Sequence, residues 1–192
     1  MTARPGKLDK AHRLLTPRTG YLIGTRSSDG EANLIPVSNL TSVSTDPEQI
    51  IIAVHKKWKT LENLTDTDGF TVSVPTIDQL DGVWKLAARY SGYRSASRSD
   101  KLASCGLAID TEACAFGPVL TDGMGWMSCR IVHRTDFGGD HGVVVGQVEA
   151  VWFDNLTFQE DGTPLIDLRP AMQITGNLFT TAGEATTIPF FP

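Results

Sequence analysis

Cysteine is scarce and unpatterned in this chain: Cys105, Cys114 and Cys129 are the three present, and no two form a C-x-x-C pair. An odd, widely spaced set argues against a disulfide framework or a cysteine zinc site and reads as reduced, mostly buried thiols. Long apolar runs are missing too, since no stretch approaches the ~18–20 residues that a membrane-spanning helix needs. Positive charge is not in excess: 17 Lys and Arg stand against 22 Asp and Glu, a net charge of −5. Nucleic acid and anionic membrane are therefore not expected partners. The first residues, MTARPGKLDKAHR, have no apolar segment of the secretory kind, so the expected location is cytoplasmic. Asn-Leu-Thr sequons at Asn39, Asn63 and Asn155 have no role in that compartment. No G-x-S-x-G, P-loop or G-x-G-x-x-G occurs, and His12, His55 and His133 lack metal-ligand spacing. Nucleophile-elbow hydrolases, NTPases, ordinary dinucleotide-binding enzymes and metal sites all lose support.

What the chain does have is punctuation: 18 Gly and 10 Pro fall between short apolar runs. Strands are expected over residues 21–25, 33–44, 49–55, 70–74, 126–133 and 143–153, the last long enough to be a central strand or to bend at Gly146. Asp29-Gly30 predicts a tight primed hairpin turn, because such turns need residues that tolerate positive φ. One helix is predicted to start with Thr60 as N-cap and to fray before Gly69. A second should run from near Asp78 to Ser91-Gly92, and a short third from Ser99 or Asp100 to Gly106. The pattern is mainly β: antiparallel strands in a barrel or sandwich with a few short helical caps. The chain reads as a single domain over residues 1–192, with a core over about 12–153 and a C-terminal arm over about 154–192. The arm, closing in Pro189-Phe190-Phe191-Pro192, is apolar without a period and should pack against something else.

Three local features could carry chemistry. His55-Lys56-Lys57-Trp58-Lys59-Thr60 gathers lysines and a hydroxyl at a strand-to-helix junction. Free N–H groups and the helix dipole favour an anion there, and Lys59 and Thr60 could contact it; a solvated charged turn would look the same. Pro36 interrupts Asn33–Asn39 and removes a ladder donor, which predicts an edge strand or bulge. The freed backbone could read the polar edge of a planar ligand. His141, in the predicted loop Asp136–Gly142, follows Asp140 and suits proton transfer or cofactor contact, or is an ordinary turn histidine. Arg94, Arg98 and Lys101 form a second basic cluster, either solvated or at the edge of an anionic pocket.

Taken in order, these pieces resemble the flavin reductase-like family, which folds as an FMN-binding split β-barrel, antiparallel and Greek-key-like. The resemblance is carried by Leu15-Thr16-Pro17-Arg18, residues 21–26, and Asp29-Gly30 through Pro36-Val37-Ser38. It continues with Ser44-Thr45-Asp46-Pro47, Lys59-Thr60-Leu61-Glu62-Asn63-Leu64, and residues 69–75. Ser91-Gly92, Asp100-Lys101-Leu102, Cys105-Gly106-Leu107, Gly139-Asp140-His141 and Gly146-Gln147-Val148 complete it. A looser likeness over Pro164 to Glu184 is similar to the tail of flavoredoxin-like members. The resemblance implies non-covalent FMN near a homodimer interface, with NAD(P)H as co-substrate. It implies that Pro36, Val37, Ser38 and Asn39 line the isoalloxazine ring, and that Lys59 and Thr60 hold the phosphate with His55 and Lys56 beside them. Asp100 and Lys101 would close the site, and His141 would meet the nicotinamide or the flavin edge as the catalytic residue. An NAD(P)H:flavin reductase is the implied activity, with a partner monooxygenase or another electron acceptor downstream. The alternatives are an FMN electron carrier of the flavoredoxin kind and a non-catalytic split-barrel binding protein. This sequence departs from the family pattern in Thr19 after Arg18, in Asn39 where an aromatic residue is usual, and in Leu178-Phe179 where Tyr is frequent.

Overall fold

A computed structural model describes residues 3–165, 167–186 and 188; the closing Pro189-Phe190-Phe191-Pro192 of the arm lies outside them. After a 3-10 turn at Leu8–Leu15, the strands are β1 Arg18–Thr19, β2 Tyr21–Arg26, β3 Ala32–Val37, β4 Leu40–Thr45, β5 Glu48–His55 and β6 Gly69–Val74. They continue as β7 Ile109–Asp110, β8 Val119–Leu120, β9 Gly125–Thr135, β10 His141–Phe153, β11 Met172–Thr175 and β12 Leu178–Thr180. The helices are α1 Lys59–Asp66, α2 Leu80–Leu86, α3 Ala88–Ser91 and α4 Arg98–Ser104. A mainly β, antiparallel chain with four short helices bears out the period-two reading of the sequence.

Seven strands form one sheet in the order β3-β2-β6-β9-β10-β5-β4. Its two edge strands, β3 and β4, are consecutive in the chain and separated only by Ser38 and Asn39. Six inter-strand spacings of about 4.8 Å would put the edges of a flat sheet about 29 Å apart. Three Cα steps from Val37 to Leu40 reach about 11 Å at most. The sheet must therefore curl until its edges nearly meet, although no ladder joins β3 to β4 among the described residues. The predicted single strand over 33–44 is thus two strands and a joint, and Pro36 sits on the edge strand its missing donor requires.

Alternation explains the two cores. In β2, Ile23 faces a cluster inside the curl with Ile52, Val54, Leu64, Phe70, Val72 and Val144. Its neighbour Leu22 faces the other way, with Leu34 of β3, Val83 and Leu86 of α2, and Leu102 of α4. Each such side chain, fully buried, is worth about 1.5–3 kcal/mol. α2 and α4 are therefore held to the outside of β2–β3, whereas α1 sends Leu64 into the inner cluster. Gly146, the expected bend, lies at a register shift in the β9–β10 ladder, and a Cβ there would stand 2.6 Å from Phe70.

Local corrections follow from the geometry. The β2–β3 connection is a loop over residues 27–31 in which Gly30 alone takes positive φ, +88°, not a two-residue primed turn. Ser27 supplies the closure through its backbone bond to Glu31 O at 3.0 Å. The N-cap of α1 is Trp58 and Thr60 lies inside the first turn. His141 opens β10, opposite His55 of β5, and is not in the loop. The arm supplies β11 and β12, and β11 pairs with β1 as a small separate sheet. At least this part of the arm packs on its own chain.

Candidate functional site

The turn from β5 into α1 sorts the lysines. Trp58 N–H bonds to His55 O at 3.0 Å, and Lys57 N–H bonds to His55 Nδ1 at 3.0 Å, so His55 shapes the turn with its side chain. Its ring lies parallel to Trp58 at 5.9 Å and edge-on to His141 at 5.3 Å. His55 thus supports the site and is not among the residues lining a cleft. Lys56 is drawn away by Asp136 at 2.6 Å, an interaction that also holds the Asp136 carboxyl below its usual range.

Lys57, Lys59 and Thr60 line a narrow cleft of about 260 Å³, together with Asn33, Pro36 and Lys101. Lys59 is paired with Glu62 one turn along the helix. Thr60 is buried, and its hydroxyl oxygen accepts from Asn33 Nδ2 at 3.0 Å. The first turn of α1 adds N–H groups without intrahelical partners and the positive end of the helix dipole.

Lys101 is the unusual cation. It is only 8% exposed, and Nζ donates to Leu86 O at 3.1 Å with no carboxylate paired to it among the described residues. Burial, then the neighbouring Arg98, pushes its pKa below the ordinary lysine range. An anion beside it would reverse that effect. Arg98 itself is engaged by Glu31. Asp100 does not join the site: it is exposed and occupied at the start of α4, where its N–H bonds to Ser97 Oγ at 3.0 Å and its carboxylate accepts from Ser97 at 2.8 Å.

A wider cleft of about 620 Å³ continues from the narrow one, the two sharing Pro36, Trp58, Ala87 and Tyr90. Val37, Ser38 and Asn39 form one wall, and aromatic side chains Trp58, Trp84, Tyr90 and Phe179 contribute others. Trp84 and Phe179 meet edge to face at 5.9 Å. The arm closes the far side, where Gln173 accepts from Ser38 Oγ at 2.9 Å and donates to Gly176 O at 2.8 Å. Arg18 Nη1 donates to Asn39 Oδ1 at 2.6 Å. His141 lines the same cleft, its Nδ1 lying 2.6 Å from Asp140 Oδ1. That contact holds the Asp140 carboxyl below its usual range.

Of the residues singled out in the sequence, Pro36 to Asn39, Lys59, Thr60, Lys101 and His141 line the clefts, and His55, Lys56 and Asp100 do not. The sequence pattern missed Trp58, Tyr90, Trp84, Phe179, Arg18 and Gln173, which come from separate elements with no shared spacing. Trp58, an aromatic between lysines at a strand end, was the one with a local signal. No group of three or more His, Cys, Asp or Glu suited to a metal occurs among the described residues. No helix among them is long and apolar enough to cross a membrane.

Solved structures share this architecture. An FMN-binding protein from Thermus thermophilus, bound to 1-cyclohex-2-enone, superposes with a TM-score of 0.78 at 22% identity, covering 98% of this chain and 99% of that one. The flavoredoxin of Desulfovibrio vulgaris (Miyazaki F) does so with a TM-score of 0.78 at 21% identity, covering 99% and 98%. A NADH-dependent FMN reductase, AsuE2 of Streptomyces nodosus subsp. asukaensis, is 27% identical over 168 residues, 87% of this chain and 84% of the relative. The model of the flavin reductase like domain matches residues 13–175, from the 3-10 turn through β11 and so including every wall of the two clefts except Phe179 and the outermost turn residues. The chain belongs to the flavin reductase-like family.

Proposed function

We propose that this chain binds FMN non-covalently and acts as an NAD(P)H:flavin reductase. The observation that carries the reading is the junction of the two clefts at Pro36, Trp58, Ala87 and Tyr90. An aromatic-walled space opens into a lysine-lined one, which matches a molecule with a flat ring at one end and a phosphate dianion at the other. The residues fit that group: Lys101 is a buried cation with no carboxylate partner among the described residues, and Thr60 and Lys57 line the same cleft. These three, with the first turn of α1, would hold the phosphate, and Lys59, whose charge is shared with Glu62, would contribute less. Asp100 takes no part, so closure of that end rests with Lys101.

Pro36, Val37, Ser38 and Asn39 would lie along the ring, where an edge strand leaves backbone groups available to a polar edge. His141 would face the nicotinamide or the ring edge. With Nδ1 committed to Asp140, its Nε2 is the nitrogen left to accept or donate a proton. FMN, when bound, would supply the two-electron chemistry that links NAD(P)H to a second flavin, a monooxygenase or another acceptor. The chain's own work is to anchor the phosphate, keep the ring in one orientation and hold His141 beside it. The NADH-dependent FMN reductase relative supports this activity. A homodimer with FMN near its interface is part of the same proposal, and light scattering that finds a 20.8 kDa monomer with FMN bound would contradict it.

The deciding experiment is a visible spectrum of the purified protein with FMN, followed by anaerobic addition of NADH and of NADPH. A yellow protein bleached by either donor supports the reductase. One bleached by dithionite alone supports a flavoredoxin-like carrier, the reading favoured by the equally close fold of that protein. A protein that retains no FMN on gel filtration overturns both.

A further inference from the structure

We propose that Asn33 is a positioning residue that turns the Thr60 hydroxyl toward the phosphate end of the ligand. The inference rests on the flavin-phosphate reading of the narrow cleft. Asn33 and Thr60 both line that cleft and are 5% and 1% exposed. Asn33 Nδ2 donates to Thr60 Oγ1 at 3.0 Å and to Thr25 Oγ1 at 3.2 Å, which uses both amide hydrogens. Thr25 is fully buried and also accepts from Asn63 Nδ2 at 3.0 Å, so a second amide fixes the oxygen that anchors Asn33.

The bond to Asn33 decides what Thr60 can do. A hydroxyl has one proton to give, and a threonine in a helix usually gives it to the carbonyl one turn back. Thr65, in the same helix, does this to Leu61 O at 2.9 Å, and Thr67 at the helix end does it to Asn63 O at 2.8 Å. No acceptor takes the Thr60 proton among the described residues, although its oxygen already receives the Asn33 amide. The result is a buried donor with a fixed oxygen in a wall that also carries Lys57 and Lys101. A phosphate oxygen satisfies both requirements, and a neutral ribityl hydroxyl does so more weakly. Replacing Asn33 frees Thr60 Oγ1 to rotate and spend its proton on the backbone, without removing any cation from the cleft.

The test compares FMN with riboflavin, which has the same ring and ribityl chain and no phosphate, by flavin fluorescence titration of the purified full chain. Asn33→Leu should lower the ratio of FMN to riboflavin affinity about tenfold, while riboflavin affinity stays within about twofold. Thr60→Val should lower the ratio by a similar factor, and the double variant should go no lower than Thr60→Val alone, because Asn33 acts through Thr60. A structural role would instead weaken both flavins together, and additive losses would mean that Asn33 and Thr60 act separately; either outcome overturns the proposal. If Asn33→Leu fails to fold, as judged by thermal melting, Asn33→Ser, too short to reach Thr60, must show the same loss. Lys101→Met separates the proposal from the reading beneath it. If that variant lowers the ratio and the Asn33 variants do not, only the positioning role fails. If neither changes it, the phosphate reading of the cleft fails as well.

Discussion

Arg18 and Asn39 are joined by a hydrogen bond of 2.6 Å from Nη1 to Oδ1, and that bond clamps the joint between the two edges of the curled sheet. Asn39 is one of the two residues between β3 and β4, and its own carbonyl accepts from Ala53 N–H at 3.0 Å. The other joint residue, Ser38, bonds to Gln173, which is the register partner of Arg18 in the small sheet. The arm and the first strand therefore grip the joint from one side, and both line the wide cleft. Asn39, a departure from the usual aromatic residue, is the partner that Arg18 uses.

Arg18→Met should consequently loosen the joint while preserving most of the packing of the side chain's stem. A hydrogen bond from a charged donor nets about 1.5–3 kcal/mol, so a loss in that range is expected in urea unfolding at pH 7. Asn39→Ala should cost a similar amount, and the double variant little more than either alone. Independent, additive losses would show that the two residues are not coupled.

The lysines offer a ranking. Lys101 is buried with no carboxylate partner among the described residues, whereas Lys59 already has Glu62. Lys101→Met should weaken FMN binding roughly 10- to 150-fold, the range for a charge-assisted bond worth about 1.5–3 kcal/mol, and Lys59→Met should weaken it less. Riboflavin binding should respond to neither. Because burial holds the Lys101 pKa down, binding of a phosphate dianion should take up protons as pH rises toward the lysine range, and FMN affinity should fall there. Fluorescence titration of the three proteins across pH 7 to about 10 checks the order and the sign.

How much of this was legible beforehand depends on whether the signal was local. β5 and the first half of β10 alternate in burial, a direct imprint of two unequal faces, whereas β2 and β6 are buried on both faces and were legible as short runs between turn signals. The lysine-rich turn and the edge-strand proline were legible for the same reason, each being a few consecutive residues. Thr60 was misplaced as a cap because the N-cap is two residues earlier, at Trp58, and the Thr60 oxygen instead accepts from Asn33 on a strand, which no capping pattern can reveal. β11 and β12 are short, and β11 pairs with a two-residue strand far away in sequence, so their exposure has no clean period. The aromatic walls met only in space: Trp58 from a turn, Trp84 from α2, Tyr90 from α3 and Phe179 from β12. His141 was expected in a loop, yet it opens β10 in register with His55.

Cys129 supplies a stability prediction at alkaline pH. Its thiol is fully buried in the inner core, and burial pushes its pKa up from 9.0 to about 12. A pKa raised on folding stabilises the native state fully below the unfolded value, and that stabilisation is lost as pH climbs from about 9 toward 12. Near pH 10 this single group should have cost about 1.4 kcal/mol. Cys129→Val, close in size and without a titrating group, should show a shallower loss between pH 8 and about 10 than the parent protein. Parallel urea-unfolding curves over that range decide it, and equal slopes would mean that the thiolate is accommodated in the folded chain.

His141 is tied to Asp140 through Nδ1, backed edge-on by His55, and lines the cleft beside Val37 and Asn39. The Asp140 carboxylate fixes which nitrogen is committed, so Nε2 is the atom available to a substrate or cofactor. If His141 acts during hydride transfer, His141→Ala should slow anaerobic reduction of bound FMN by NAD(P)H about 10²-fold, the low end for a positioned acid–base or electrostatic group. FMN affinity should change far less, since the anchoring cations belong to the narrow cleft. Asp140→Asn leaves the ring in place but removes its anionic partner, and should produce a smaller loss whose pH dependence differs from that of the parent protein. Stopped-flow absorbance of the flavin band reads both effects. Reduction of His141→Ala at the parent rate, with the same dependence on NAD(P)H concentration, would return His141 to being an ordinary residue at the start of a strand.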